Sequence, residues 1–144
     1  MKPIFCSLLL ACAALSSCNS LTSPVPRGAR SVDHGRIGAG EGPAWKDGCL
    51  YFTDGKHINR LDPDGKTRVF RGSATAHSSN GLLFDRDGRL IACESGARRV
   101  TRTEKDGSLS ILAAHFQGKR FNAPNDLTVD SKGRLYFTDP RYGP

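Results

Sequence analysis

One pattern, written three times, constrains this chain more than any other feature. A polar residue opens a short apolar stretch, a tight turn with glycine follows, and a second apolar stretch ends on a carboxylate. The first copy is Glu41-Gly-Pro-Ala-Trp45, Lys-Asp-Gly48 and Cys-Leu-Tyr-Phe-Thr-Asp54. The second is Asn80-Gly-Leu-Leu-Phe84, Asp-Arg-Asp-Gly88 and Arg-Leu-Ile-Ala-Cys-Glu94. The third is Asn125-Asp-Leu-Thr-Val129, Asp-Ser-Lys-Gly133 and Arg-Leu-Tyr-Phe-Thr-Asp139. The turn glycines 48, 88 and 133 fall 40 and then 45 residues apart. A period of that size built from β-hairpins is the signature of four-stranded propeller blades.

A second hairpin completes each of the first two copies. His57 to Leu61 leads through Asp62-Pro-Asp-Gly65 to Lys66–Phe70, and Arg99 to Thr103 leads through Glu104-Lys-Asp-Gly107 to Ser108–Ala113. Glycines 65 and 107 are 42 residues apart, so both hairpins keep one period. Asp-Gly supplies the backbone conformations that tight hairpin turns need. The clearest strands are Cys49–Thr53, Arg89–Cys93 and Arg134–Thr138, read from alternation and aromatic or β-branched content. The fold class is therefore all-β. Longer connections, Gly72–Ser79 and Gln117–Pro124, lead into innermost strands and hold polar groups at the mouth of a central channel.

Residues 1–17 read as a signal peptide. Met1-Lys2-Pro3 is a basic start, Ile4 to Leu15 an apolar run, and small residues follow. Twelve residues fall short of the roughly 20 that a spanning helix needs. Leu15-Ser16-Ser17-Cys18 resembles a lipobox, which makes Cys18 the lipidation candidate; the alternative is ordinary cleavage near Ser17. A diacylated Cys18 would give the two chains that stable anchoring requires. Residues 18–34, with Pro24, Pro26 and Gly28, suit a flexible tether. The expected location is outside the cytoplasm of a bacterium, periplasmic or held on a membrane by that lipid alone.

The domain then runs over residues 35–144, enough for about two and a half blades. Closed propellers need about four to eight. The expectation is an N-terminal portion of a larger propeller, with assembly from several copies as the weaker alternative.

Net charge is +7, from 21 basic and 14 acidic residues, but the cations are scattered through turns and strand ends. No zinc-ligand spacing or aromatic-basic strand motif accompanies them, which argues against nucleic acid. Of the five cysteines only Cys49 and Cys93 lie in the domain, at opposite ends of equivalent strands. A disulfide between them is not expected, and both read as small buried hydrophobes.

Glu41, Asn80 and Asn125 each begin an innermost strand, so a radial array brings them toward one axis. One carboxylate with neutral amide oxygens is a donor set that Ca2+ accepts. The competing reading is that Asn and Glu before Gly or Asp make turns or cap strand ends. The carboxylates Asp54, Glu94 and Asp139 recur at one strand end, which reads as a shared structural turn role. Trp45 reads as inter-blade packing. His77 with Ser78 and Ser79 has no Gly-x-Ser-x-Gly elbow around it and reads as a surface-loop histidine.

These residues resemble the gluconolactonase and regucalcin (senescence marker protein) family, in its bacterial gluconolactonase-like branch. The resemblance rests on Glu41-Gly-Pro-Ala-Trp45, on Asn80-Gly-Leu-Leu-Phe-Asp85 through Glu94-Ser-Gly-Ala-Arg-Arg-Val-Thr-Arg102, and on Phe121-Asn-Ala-Pro-Asn-Asp126 through Tyr136-Phe-Thr-Asp-Pro-Arg-Tyr-Gly143. It implies a six-bladed β-propeller with one divalent metal, most often Ca2+, in the channel, and hydrolysis of sugar lactones or related cyclic esters. By position it implies metal binding by Glu41 and Asn125, and substrate contacts from Asn125, Asn80 and Arg120. Ala123 stands where some members place a substrate-binding arginine, and Arg120 is the nearby substitute. The general base is expected beyond residue 144; Asp126 is the local rival, more readily explained by a bond to neighbouring backbone. The alternative function is a lipid-anchored binding module without catalysis, or an inactive gene fragment.

Overall fold

The computed structural model describes residues 25–72, 74 and 77–142. The segment read as a signal peptide and the lipidation candidate Cys18 lie outside the described residues. The chain divides into two units, 1–33 and 34–144, and the described part of the first contains no strand.

The second unit is all-β. Blade 1 is the antiparallel sheet β1 (Glu41–Lys46), β2 (Cys49–Thr53), β3 (Ile58–Leu61) and β4 (Thr67–Arg71), paired in chain order. Blade 2 repeats it with β5 (Ser79–Phe84), β6 (Leu90–Glu94), β7 (Arg99–Thr103) and β8 (Leu109–Ala113). A small hairpin, β9 (His115–Phe116) and β10 (Lys119–Arg120), precedes the first hairpin of blade 3, β11 (Leu127–Val129) and β12 (Leu135–Phe137). Even the irregularities repeat. The register shifts between Glu41 and Ala44 in blade 1 and between Ser79 and Leu82 in blade 2, and again in the outer pairs at Ile58/Asn59 and Val100/Thr101. Such bulges bend a strand and re-aim the residues beside them.

The turns follow from their sequences. Asp47 and Gly48 both take positive φ (50° and 78°), as a two-residue hairpin turn of the I′ kind requires. In Asp85-Arg-Asp-Gly-Arg89 the first carboxylate accepts the Asp87 and Arg89 amides and the Arg89 guanidinium at 2.8–3.0 Å. Asp130-Ser-Lys-Gly-Arg134 repeats those bonds through Lys132 and Arg134.

The apolar core lies between blades. Strand β6 is buried along its whole length and feeds both sides. Leu90 and Ala92, with Leu82 of β5, pack against Ala44, Tyr51 and Ile58 of blade 1, whereas Ile91 and Cys93 join Val100 against Leu127, Val129, Leu135 and Phe137 of blade 3. Alternation along one strand thus serves two interfaces. The Tyr51 ring meets Phe70 and Phe84 edge-on, with centroids 5.1 and 4.8 Å away. Cys49 and Cys93 are free thiols, and burial pushes the Cys93 thiol up to about 12. It is an inert packing group.

One expectation changes, and one meets no partner among the described residues. Trp45 is 69% exposed and, among the described residues, packs against no second blade. Its neighbour Ala44 takes the face toward blade 2, so alternation turns Trp45 to the opposite face, which no described residue covers. The connection into blade 3, read as a loop, contains the β9–β10 hairpin, closed by positive φ at Gln117 (50°) and Gly118 (75°).

Candidate active site

The three strand starts meet through their backbones. The Gly81 amide donates to the Asn125 carbonyl at 2.6 Å, so β5 is bonded directly to the segment that opens β11. Gly42 packs on the Asn80 peptide so closely that a Cβ there would overlap the carbonyl oxygen. A Cβ on Gly81 would sit 2.7 Å from the Asn125 carbonyl and 2.6 Å from Asp126 Oδ1. Each glycine after a polar residue therefore lets one blade's strand start reach the next. Glu41, Asn80 and Asn125 form a row along these contacts, as the repeat predicts.

Their side chains are differently engaged. The exposed Glu41 carboxylate and the half-buried Asn80 amide have no partner among the described residues; only the Glu41 carbonyl is used, by Thr53 Oγ1 at 3.2 Å. Asn125 donates Nδ2 to the Tyr142 hydroxyl, which leaves its Oδ1 as a free acceptor. The Asp126 carboxylate accepts the Leu127 amide at 2.9 Å, the local backbone role expected of it. Among the described residues, no three His, Cys, Asp or Glu side chains gather where they could hold a metal. The donor set on this row is instead one unpaired carboxylate with free amide oxygens, which fits a hard cation.

The surrounding loops are tied down by their own polar groups. Ser95 Oγ donates to the Pro124 carbonyl at 2.6 Å, and Arg98 Nε donates to the Phe121 carbonyl. Arg120 donates Nη2 to the Ala97 carbonyl at 2.7 Å, so its exposed guanidinium braces the β6–β7 turn. The Gly96 amide donates to the His77 carbonyl at 3.1 Å. His77 and Ser78 both take positive φ (46° and 53°), a conformation that side chains resist. The exposed His77 imidazole has no partner among the described residues, consistent with a surface-loop histidine.

The three recurring carboxylates do not share one job. Asp139 accepts the Asn122 and Ala123 amides at 2.8–2.9 Å and clamps the loop ahead of Asn125. Asp54 accepts the Lys56 and His57 amides, Asn59 Nδ2 and the His57 ring. Glu94 is instead fully buried, bonded to Arg71, Arg99 and Thr101. Sequence reasoning missed Arg71, which ends an edge strand whose other residues are all exposed and carries no motif.

Burial pushes the Asp54 carboxyl up, but the His57 amide, Asn59 and the Lys56 amide outweigh it and hold it well below the ordinary 3.8. A lowered folded value means stability that is complete above the unfolded value and fades as pH falls through it toward the folded one. Asp54→Asn should therefore lose less stability than the parent chain on going from about pH 5 to pH 3. Equal losses in urea titrations at the two pH values would remove Asp54 from the acid response.

The family profile described as "SMP-30/Gluconolactonase/LRE-like region" matches residues 39–144. A gluconolactonase of Zymomonas mobilis is 33% identical, over 72% of this chain and 33% of its own length. The solved structure of a gluconolactonase from Xanthomonas campestris superposes with a TM-score of 0.65 at 37% identity, covering 71% of this chain and 35% of that one. A streptogramin B lyase at 22% identity and TM-score 0.56 shares the fold, covering 69% of this chain and 33% of that one. The chain spans about a third of the length of the relatives it matches.

Proposed function

This chain belongs to the SMP-30/gluconolactonase/LRE-like family, and from that premise we propose that it carries part of the site of a metal-dependent hydrolase of sugar lactones or related cyclic esters. The observation that supports the reading most is the bonded row of strand starts, with an unpaired Glu41 carboxylate and free amide oxygens on Asn80 and Asn125. Glu41 and Asn125 are the proposed metal ligands, and Ca2+ is the proposed metal. Asn125, Asn80 and Arg120 are the proposed substrate contacts. The sequence reading of Cys18 adds export and a lipid anchor to the proposal.

Held by Glu41 and Asn125, a divalent cation would supply Lewis acidity toward a lactone carbonyl and toward water. The chain's own residues do the rest of what is assigned here. Asn125, fixed by Tyr142 on one side and by its backbone bond to Gly81 on the other, holds an amide oxygen at the strand start. Asp139 keeps the preceding loop from shifting it, and Arg120 holds the β6–β7 turn over the same end of blade 2. Position of this kind is worth several kcal/mol of barrier when reacting groups are held in register. No proton transfer is assigned to Asp126, whose carboxylate serves its neighbouring backbone.

Hydrolysis of glucono-δ-lactone, followed by acid release with and without Ca2+, tests the reading directly. Glu41→Gln keeps the shape and removes the charge, and should weaken Ca2+ binding by roughly two orders of magnitude. Unchanged calorimetric affinity in that variant would take Glu41 out of the metal site.

A further inference from the structure

A cleft of about 260 Å3 opens beside Asn125, lined by Arg98, Asn122, Ala123, Pro140, Arg141 and Tyr142. Tyr142 links it to the site, because its hydroxyl is the group that receives the Asn125 amide. Two arginines line this space. Arg141 has neither an ion pair nor a hydrogen bond among the described residues. Arg98 spends only Nε, on the Phe121 carbonyl, which fixes the fork and leaves its two terminal nitrogens unused. The acid closest in sequence, Asp139, is consumed by the Asn122 and Ala123 amides and the Asn122 side chain. Arg98 also sits at φ 58°, in the left-handed region, a conformation that for non-glycine residues collects at ligand-handling positions.

We propose that Arg98 and Arg141 form an anion subsite adjoining Asn125, so that the preferred lactone carries a carboxylate on the part remote from the reacting ester. The inference rests on the lactonase reading for the word lactone, not for the anion. The cleft is smaller than the roughly 300–1,000 Å3 of sites for whole drug-sized ligands, and suits one substituent. Planar guanidiniums pair with carboxylates through two parallel bonds, and Arg serves this better than Lys.

The test uses the full chain with Ca2+ and two probes, glucaro-1,4-lactone with a free carboxylate and neutral glucono-δ-lactone. Arg141→Ala, at an exposed position, should raise KM for the acidic lactone about 10-fold and leave KM for the neutral one within about 2-fold. Arg141→Lys should fall between. Equal effects on both probes, or no preference for the acidic lactone in the parent chain, would overturn the subsite. If neither lactone is hydrolysed, the lactonase reading fails by itself. Calorimetry with glucarate then decides the subsite: salt-sensitive binding lost in Arg141→Ala sustains it, and no binding removes it.

Discussion

Arg71→Met is expected to lower the unfolding free energy by about 3–5 kcal/mol, the usual cost of removing one partner from a buried ion pair. Arg71 is 8% exposed and Glu94 is fully buried. Arg71 Nη2 donates to Glu94 Oε1 at 2.7 Å and to Ser79 Oγ at 3.3 Å, and Nη1 donates to Thr103 Oγ1 at 3.3 Å. Glu94 also takes Arg99 Nε at 2.6 Å and Thr101 Oγ1 at 2.7 Å. Burial pushes the Arg71 guanidinium down while Glu94 opposes it, and a guanidinium stays charged regardless. One side chain from the last strand of blade 1 thus reaches β5, β6 and β7 of blade 2. Losing it leaves a buried carboxylate with one guanidinium and a hydroxyl, and unties the start of β5 one residue before Asn80. The double variant Arg71→Met/Glu94→Leu should recover part of the loss, because a fully apolar replacement removes both desolvation costs. Urea midpoints at constant m-value measure this. A single-variant cost under about 1 kcal/mol would mean that the network behaves as a solvated surface pair.

What was legible in the sequence was what repeats. The turn glycines, the Asp-Gly signals and the apolar alternation placed both full blades, because each strand's own residues satisfy a local rule. The row of Glu41, Asn80 and Asn125 was legible for the same reason: equivalent positions in a repeat become neighbours in space. Side-chain function at equivalent positions was not legible. Asp54 and Asp139 clamp backbone amides, as a turn role implies, yet Glu94 turns inward to Arg71. The difference comes from a partner in another blade, 23 residues away, that no local rule connects to it. The inter-blade role read for Trp45 has no partner among the described residues, because its strand's other face, taken by Ala44, is the one that meets blade 2. The β9–β10 hairpin escaped because two-residue strands carry no alternation to read, and its turn residues Gln117 and Gly118 are not the usual Asn-Gly pair.

The glycines that follow the site residues give the sharpest contrast between conformational and steric cost. Gly42 has φ 58° and no room for a Cβ, which would overlap the Asn80 carbonyl. Gly55 has φ 84° and nothing within 4 Å of the same position. Gly81 has an ordinary φ but a Cβ there would lie 2.6–2.8 Å from Asp126 Oδ1, the Asn125 carbonyl and Asp126 Cα. Alanine at Gly55 should therefore cost only the left-handed penalty, about 1–2 kcal/mol. Alanine at Gly81 should cost more without any such penalty, because backbone of the next blade must retreat and the 2.6 Å bond from the Gly81 amide stretches with it. Gly42→Ala combines both, and about 4 kcal/mol or more is expected, most of the stability of a domain at the low end of the usual range of about 5–15 kcal/mol. The functional consequence separates from the structural one at Gly81. If Gly81→Ala still folds by circular dichroism but its Ca2+ affinity falls more than 10-fold, the close approach of strand starts is what aligns the donor row. If the affinity is unchanged while stability drops, the glycines serve blade packing alone, and Glu41, Asn80 and Asn125 are held in place by their own strands.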